Sequence, residues 1–410
     1  MKYFGTDGIR GVYGEKMTEA LAYNAGLGFA LAFGGDVIVG TDTRTSGEAL
    51  SGAVISGLLR GGCRVKRVGI VPSPCVSFLA AKHRCGGIMV SASHNPPCYN
   101  GLKFFGGNGC KLTAEDEAQV EYFMDHPIMA RGYGSQFEFG EGRQEYVDFL
   151  VSQGGNLCGR EVVLDCAFGA GSTVAAEAFL RCGAKVRAVN ETPEGDKINC
   201  GVGALYPSFV ASMTDGLGFA FDGDADRLAV TCGGEVDGDS VLYNLALLTK
   251  PRGVVGTIMN NGALECALGS LGIKFVRTAV GDKHISEEMA RQGFTLGGEQ
   301  SGHYIISPAV SGDGVLTALR LSAIEKFERL SLIPQRLESV SASAAVLFDH
   351  RFLRAKAECE ATIGGGRLIV RASGTEAKIR VMAEGEDGNL LDRIVDLLTT
   401  TIKLCEKGEL

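Results

Sequence analysis

From residue 18 to residue 92 the chain alternates two kinds of block. Stretches in which apolar positions recur every three or four residues, "TEALAYNAGLGFALAF", "GEALSGAVISGLLRGG" and "SPCVSFLAAKH", are separated by short apolar runs, "DVIVG", "RVKRVGIV" and "GGIMVSA". The first pattern gives a helix one buried face, and the second gives a strand buried on both sides. Their alternation predicts βαβ units and a mostly parallel sheet. Residues 127–142, "PIMARGYGSQFEFGEG", break the rhythm with glycines and polar residues and predict a linker. The alternation restarts at "EVVLDCA", "STVAAEAFLRCG", "KVRAVN" and "GLGFAFDGD". It restarts again at "RGVVGTIM", runs through "ALECALGSLG", "KFVRTAV", "SEEMARQG" and "FTLGGEQ", and closes with a long helical pattern, "GVLTALRLSAIEKFERL". A shorter remainder carries the strands "RLIVRAS" and "AKIRVMAEG" and the helix "NLLDRIVDLLTTTIKLCE". The expected organisation is three mixed α/β units over residues 1–135, 143–238 and 239–338, and a small C-terminal α+β unit over residues 342–410.

Length agrees with that division, because 410 residues exceed the ~250 to 300 at which a single core stops growing. With 45% hydrophobic and 21% charged residues the composition is that of a globular chain able to bury real cores. A net charge of −8 without a run of lysines and arginines disfavours nucleic acid or an anionic membrane as partner. An anionic ligand must then be held by a local cluster. The 13 cysteines form no C-x-x-C, which argues against a disulfide framework and a structural zinc site. The N-terminus has no apolar export segment and no run approaches the ~18 residues of a membrane span, so a cytoplasmic location is expected.

Each α/β unit ends an apolar strand on a polar loop, "SASHNP", "DGDADR" or "GEQSGH", and ligands in open α/β sheets sit beyond the carboxyl ends of strands. In "DGDADR", Asp222, Asp224 and Asp226 alternate with small residues, so three carboxylates share one face of an extended backbone. Unpaired they would repel, and a hard divalent cation, best Mg²⁺, resolves the conflict. An EF-hand is excluded because Arg227 and Gly233 stand where it needs glycine and glutamate. The blander reading is a solvated acidic turn, which the preceding "GFAF" disfavours.

In "SASHNP", Ser93 and His94 suggest a hydrolytic pair, but neighbours on a strand face opposite ways. A loop serine facing the cation could instead carry a phosphoryl group; a simple turn is the alternative. In "GEQSGH", Glu299 and Ser301 could bond sugar hydroxyls, and His303 is the natural group to titrate near neutral pH, although a cap or core histidine fits as well. In "RASGTEAKIR", Arg371 and Arg380 flank Ser373, Gly374 and Thr375, a composition suited to phosphate, with a solvated strand edge as the alternative.

Together with "YFGTDGIRG", "NGLKFF" and "RTAVGDKH", these segments run in order from residue 3 to residue 387 and resemble the α-D-phosphohexomutases, most closely their glucosamine-type members. The resemblance implies four domains around a central cleft, with Ser93 as phosphoserine, one Mg²⁺ per chain on Asp222, Asp224, Asp226 and the Ser93 phosphoryl, and Arg10 and Lys103 flanking the transferring group. It implies sugar contacts from Glu299, Ser301 and Arg227, proton transfer by His303, and a phosphate clamp of Arg371, Ser373, Gly374, Thr375 and Arg380. The implied reaction interconverts glucosamine 6-phosphate and glucosamine 1-phosphate through glucosamine 1,6-bisphosphate, in a monomer or homodimer. A glucose- or mannose-phosphate mutase of the same superfamily, a sugar-phosphate phosphatase with an aspartate nucleophile and a non-catalytic sugar-phosphate sensor are the competing readings. The chain departs from the family pattern at Cys98 in "PPCYNG", around Tyr206 in "NCGVGALYPS", and at Ala377.

Overall fold

A computed structural model describes residues 2–5, 7–128, 132–372 and 377–408. The chain divides into two compact units, one of Met1–Met259 with Gly272–Arg329 and one of Asn260–Leu271 with Leu330–Leu410.

The first unit holds three sheets. In the largest, the strands lie in the order Ile9–Val12, Tyr99–Phe105, Gly86–Val90, Asp36–Thr41, Arg64–Ile70 and Ser135–Glu138. Gly86–Val90, Asp36–Thr41 and Arg64–Ile70 run parallel, with Thr41 paired to both Val90 and Ile70, so all three release their chains at one edge. Helices Glu19–Ala32, Gly47–Arg60 and Ala114–Asp125 cover this sheet with a core that includes Ala25, Val54, Ile88 and Val120. The second sheet orders Glu235–Val236, Leu228–Thr231, Leu217–Phe221, Glu161–Asp165 and Lys185–Val189. The third orders Lys274–Thr278, Gly253–Thr257, Leu296–Gly298 and Tyr304–Ile306. Mixed α/β architecture with mostly parallel centres is what the alternating pattern predicts.

Three expectations are corrected. Within the expected linker, Ser135–Glu138 pairs parallel to Arg64–Ile70 as an edge strand, and all four of its residues are exposed, so it carries no apolar signal. The long helical pattern after residue 314 yields only Gly314–Leu321. Beyond it Asn244 donates to the Glu328 carbonyl at 2.7 Å and accepts from its N–H at 3.0 Å, and this tertiary contact outweighs local helical propensity. The C-terminal sheet begins before residue 342, because Gln335–Ser341 pairs along its full length with Lys378–Glu384; only one of its seven residues is buried, which hid it.

The second unit is that antiparallel sheet, ordered Gln335–Ser341, Lys378–Glu384 and Arg367–Ala372, with helices His350–Thr362 and Gly388–Lys407 packed through Ile379, Val381, Val395 and Leu398. Helix Gly262–Ser270 belongs to it: Asn261 donates to the Ile333 carbonyl at 2.9 Å and accepts from its N–H at 3.0 Å. No described helix is long and apolar enough to cross a membrane.

Candidate active site

The strand Gly86–Val90 ends three residues before Ser93, whose backbone turns left-handed at φ +52°. The opposite-face expectation for Ser93 and His94 therefore does not apply, and Ser93 Oγ lies 3.4 Å from His94 Nδ1. Its stronger partner is Asp222, to which the hydroxyl donates at 2.5 Å. Ser93 is fully buried. Burial first, then the cations Arg227 and Arg10, push His94 down to about 3, so this ring is neutral and cannot serve as an imidazolium.

Asp222, Asp224 and Asp226 are buried together, with ligand oxygens all within 4.8 Å of one another. Their backbone needs no side chain at Gly223, where a Cβ would stand 2.7 Å from the Ser93 carbonyl oxygen. The ammonium of Lys103, almost wholly buried, lies 2.6 Å from Asp224 and 2.5 Å from Asp226. Against the effect of burial, Lys103 and His303 hold Asp226 well below the ordinary carboxylate range. At Asp222 burial and the Asp226 and Asp224 charges outweigh the opposing pull of Arg227 and Lys103 and push it up to about 7. Asp224 Oδ1 is buried without a hydrogen-bond partner among the described residues. Three hard oxygen donors, one of them orphaned and one held back from ionising, fit a divalent cation of the Mg²⁺ type.

An isolated bridge pairs Arg227 with His303 and joins the "DGDADR" loop to the "GEQSGH" loop. His303 Nε2 lies 3.1 Å from Asp226 and Nδ1 lies 3.4 Å from Glu299. Burial opposes protonation here, but the Asp226 charge prevails and His303 is raised to about 10. That charge favours the imidazolium, and a cation on Asp226 would weaken the hold and bring the ring back toward titration near neutral pH. Glu299 is buried and accepts the Gly281 N–H at 3.0 Å, whereas Ser301 is exposed. Arg227 donates its backbone N–H to Asp222 at 3.1 Å, and its Nε is buried without a hydrogen-bond partner among the described residues.

Arg10 pairs with Asp7 and reaches Asn95 Oδ1 at 3.3 Å. Asp7 also pairs with Lys111, which bonds Asp282 at 2.7 Å. In the sequence alone Asp7, Lys111, Ser73, Arg44 and Asn199 carry no assigned role, and Asp282 stands only as part of the family-like "VGDKH". Ser73 donates to Asp224 Oδ2 at 2.5 Å, and Arg44 and Asn199 bond the Ser93 carbonyl, each at 2.9 Å. A signal did exist for Arg44 and Ser73: "TDTRTS" and "VPSP" leave the same sheet edge as "SASHNP".

In the second unit Arg371 and Arg380 are direct cross-strand partners, which places two cationic side chains on one face of the sheet. Arg380 Nε is buried without a hydrogen-bond partner among the described residues. Ser373, Gly374 and Thr375 lie outside the described residues.

The phosphoglucomutase/phosphomannomutase family matches through its α/β/α domain I at residues 1–128, α/β/α domain III at 237–339 and C-terminal domain at 333–400. The chain belongs to that family. It is 40% identical to the phosphoglucosamine mutase of Thermotoga sp. (strain RQ2), over 98% of this chain and 100% of that protein. In fold it is similar to a phosphoglucomutase/phosphomannomutase family protein of Burkholderia thailandensis, with TM-score 0.81 and 23% identity over 98% of this chain and 97% of the other. It is also similar to the N-acetylphosphoglucosamine mutase of Aspergillus fumigatus in complex with GlcNAc-6P and magnesium, with TM-score 0.68 and 18% identity over 100% and 96%. As a phosphohexomutase-family enzyme it is an intramolecular phosphotransferase.

Proposed function

We propose that the chain interconverts glucosamine 6-phosphate and glucosamine 1-phosphate with Ser93 as the phosphoryl carrier. The observation that carries this reading is the Ser93 hydroxyl bonded to Asp222 at 2.5 Å inside a buried aspartate triad that Lys103 also touches. Glucosamine is favoured by the 40% identity to phosphoglucosamine mutases. Gln300 in "GEQSGH" and the "GDK" of "VGDKH" point the same way by resemblance to glucosamine-type members alone, because Asp282 and Lys283 are engaged in ion pairs with Lys111 and Glu117.

In the proposed cycle phospho-Ser93 yields its phosphoryl group to the 1-hydroxyl of glucosamine 6-phosphate. The Ser93 Oγ–P bond breaks as the sugar O1–P bond forms, the sugar hydroxyl loses its proton and Ser93 Oγ regains one. The 1,6-bisphosphate then turns over, and Ser93 takes back the group at position 6. The sugar O6–P bond breaks as the Ser93 Oγ–P bond forms, the serine hydroxyl loses its proton, O6 gains one, and glucosamine 1-phosphate leaves. His303, held as an imidazolium and sharing Asp226 Oδ1 with the serine, is the proposed proton donor to Ser93. Arg10 and Lys103 are the proposed counter-charges, and Arg227, Glu299 and Ser301 the proposed sugar contacts. Asp222, Asp224 and Asp226 would hold one Mg²⁺, which when bound supplies charge neutralisation for phosphoryl transfer. Arg371 and Arg380 are assigned the phosphate that stays in place, with Ser373, Gly374 and Thr375 as proposed companions. The 13 cysteines include no disulfide among the described residues, which suits the reducing cytoplasm proposed here.

The test is kcat/KM measured side by side on glucosamine 6-phosphate, glucose 6-phosphate and mannose 6-phosphate. Preference for the first is expected. Equal or reversed ratios move the chain to another branch of the family, and release of inorganic phosphate makes it a phosphatase.

A further inference from the structure

A non-glycine residue in the left-handed region must be held there by its surroundings. Ser93 is such a residue, and none of the groups assigned above to substrate or cation holds its backbone. From the structure we infer that Arg44 and Asn199 form a clasp that fixes the Ser93 peptide, and that they are positioning residues for phosphoryl transfer. The inference rests on Ser93 being the phosphoryl carrier.

Arg44 is completely buried, and its guanidinium donors are all accounted for. Nε donates to Asp42 Oδ2 at 3.0 Å, one terminal nitrogen donates to the carbonyls of Pro96 at 2.5 Å and Tyr99 at 2.9 Å, and the other to those of Ser93 at 2.9 Å and Asn95 at 2.7 Å. Five N–H groups meet five acceptors, a geometry open to the planar guanidinium and closed to an ammonium with three donors. Asn199, arriving from the loop after the Lys185–Val189 strand, donates from Nδ2 to the same two carbonyls, Ser93 at 2.9 Å and Asn95 at 3.2 Å. Gly223 closes the third side, since a Cβ there would meet both the Ser93 carbonyl oxygen at 2.7 Å and Asn199 Nδ2 at 3.0 Å.

The other end of the residue is fixed by the same ring. Asp42 Oδ2 accepts from the Ser91 hydroxyl at 2.7 Å, and that hydroxyl accepts the Ser93 N–H at 2.9 Å. With N–H and C=O both anchored, the direction of the Ser93 Cα–Cβ bond is set, and the hydroxyl it carries donates to Asp222 at 2.5 Å. Neither Arg44 nor Asn199 bonds the Ser93 hydroxyl. A carrier that must meet two different sugar oxygens in one cycle needs its Oγ in a constant place, and a displacement of about 1 Å costs on the order of a hundredfold in rate.

The test uses the full-length protein and the variants Asn199→Ala and Arg44→Lys. The readouts are kcat and KM for glucosamine 6-phosphate and hydrogen exchange of the amides of residues 92–99. Asn199→Ala is expected to lower kcat by about tenfold to a hundredfold with KM within about threefold. Exchange should rise at 92–99 alone, while strands Asp36–Thr41 and Gly86–Val90 stay protected. Arg44→Lys should do the same more strongly, and the double variant should add little to it, because both side chains act on the same carbonyls. Parental kcat with parental exchange in either variant overturns the inference, as does a raised KM at unchanged kcat, or exchange that rises evenly across the sheet. If Arg44→Lys does not fold, Asn199→Ala decides. If the parent shows no mutase turnover, the carrier reading fails, and the exchange pattern still judges the clasp.

Discussion

The roles assigned to single residues differ in what their loss should do. Ser93→Ala is expected to abolish mutase turnover and to remove the added mass of one phosphoryl group from the intact protein; turnover with a phosphate on another residue would contradict the assignment. Asp224→Asn removes a carboxylate whose Oδ1 has no hydrogen-bond partner among the described residues. Calorimetric titration should show Mg²⁺ binding weakened by about tenfold or more, a loss that even outer partners of a metal site produce. Unchanged binding would move the cation elsewhere. Away from the triad, burial pushes Asp313 up to about 6, although it caps helix Gly314–Leu321 and accepts from Tyr146 at 2.9 Å. Between about pH 4 and 6 the folded chain keeps a proton on Asp313 that the unfolded chain has released, so stability falls as pH rises through that window. Asp313→Asn keeps a side-chain cap and should flatten that part of the Tm profile. Above pH 6 it should stabilise by at most about 3 kcal/mol. A parental slope in the variant would show that Asp313 is not the titrating group.

Between elements, the determining feature is the shared edge of parallel strands. The strand-end rule made "SASHNP" legible, because Val90 closes an apolar run and chemistry sits beyond such ends. It points to the loop that carries Arg44 but not to Asn199 or Lys111, which meet Ser93 and Asp7 across 106 and 104 residues of sequence, Asn199 from a loop of the second sheet. Nor could it foresee His303 as an imidazolium, since that depends on a 3.1 Å approach to Asp226. Ser135–Glu138 was hidden for another reason: an exposed edge strand needs no apolar alternation. Helix Asp282–Gln292 is tied to the first sheet's side by Lys283–Glu117 at 2.9 Å and Lys111–Asp282 at 2.7 Å. Lys283→Met strands the largely buried Glu117 carboxylate and should destabilise by about 3 kcal/mol in denaturant unfolding, near the usual figure for a broken buried pair. A change below about 1 kcal/mol would mark the pair as solvated.

Across the whole molecule the two compact units carry different parts of the proposed chemistry. Ser93, the triad and His303 belong to the first, and the Arg371–Arg380 pair to the second. Arg371 and Arg380 stand directly opposite each other on one face of the sheet, a placement that suits two guanidinium groups to one phosphate. Arg371→Ala should therefore raise KM for glucosamine 6-phosphate by about tenfold or more while leaving phospho-Ser93 intact; an unchanged KM would show that the pair does not bind the substrate phosphate. The central claim is that Ser93 gives its phosphoryl group to the sugar, and a single-turnover label transfer tests it most directly. Protein carrying isotopically labelled phosphate on Ser93 is mixed with unlabelled glucosamine 6-phosphate and Mg²⁺, and the label is followed by mass spectrometry. The account predicts that label leaves Ser93 and appears in glucosamine 1,6-bisphosphate and then in glucosamine monophosphate. Label that remains on Ser93, or emerges only as inorganic phosphate, would contradict it.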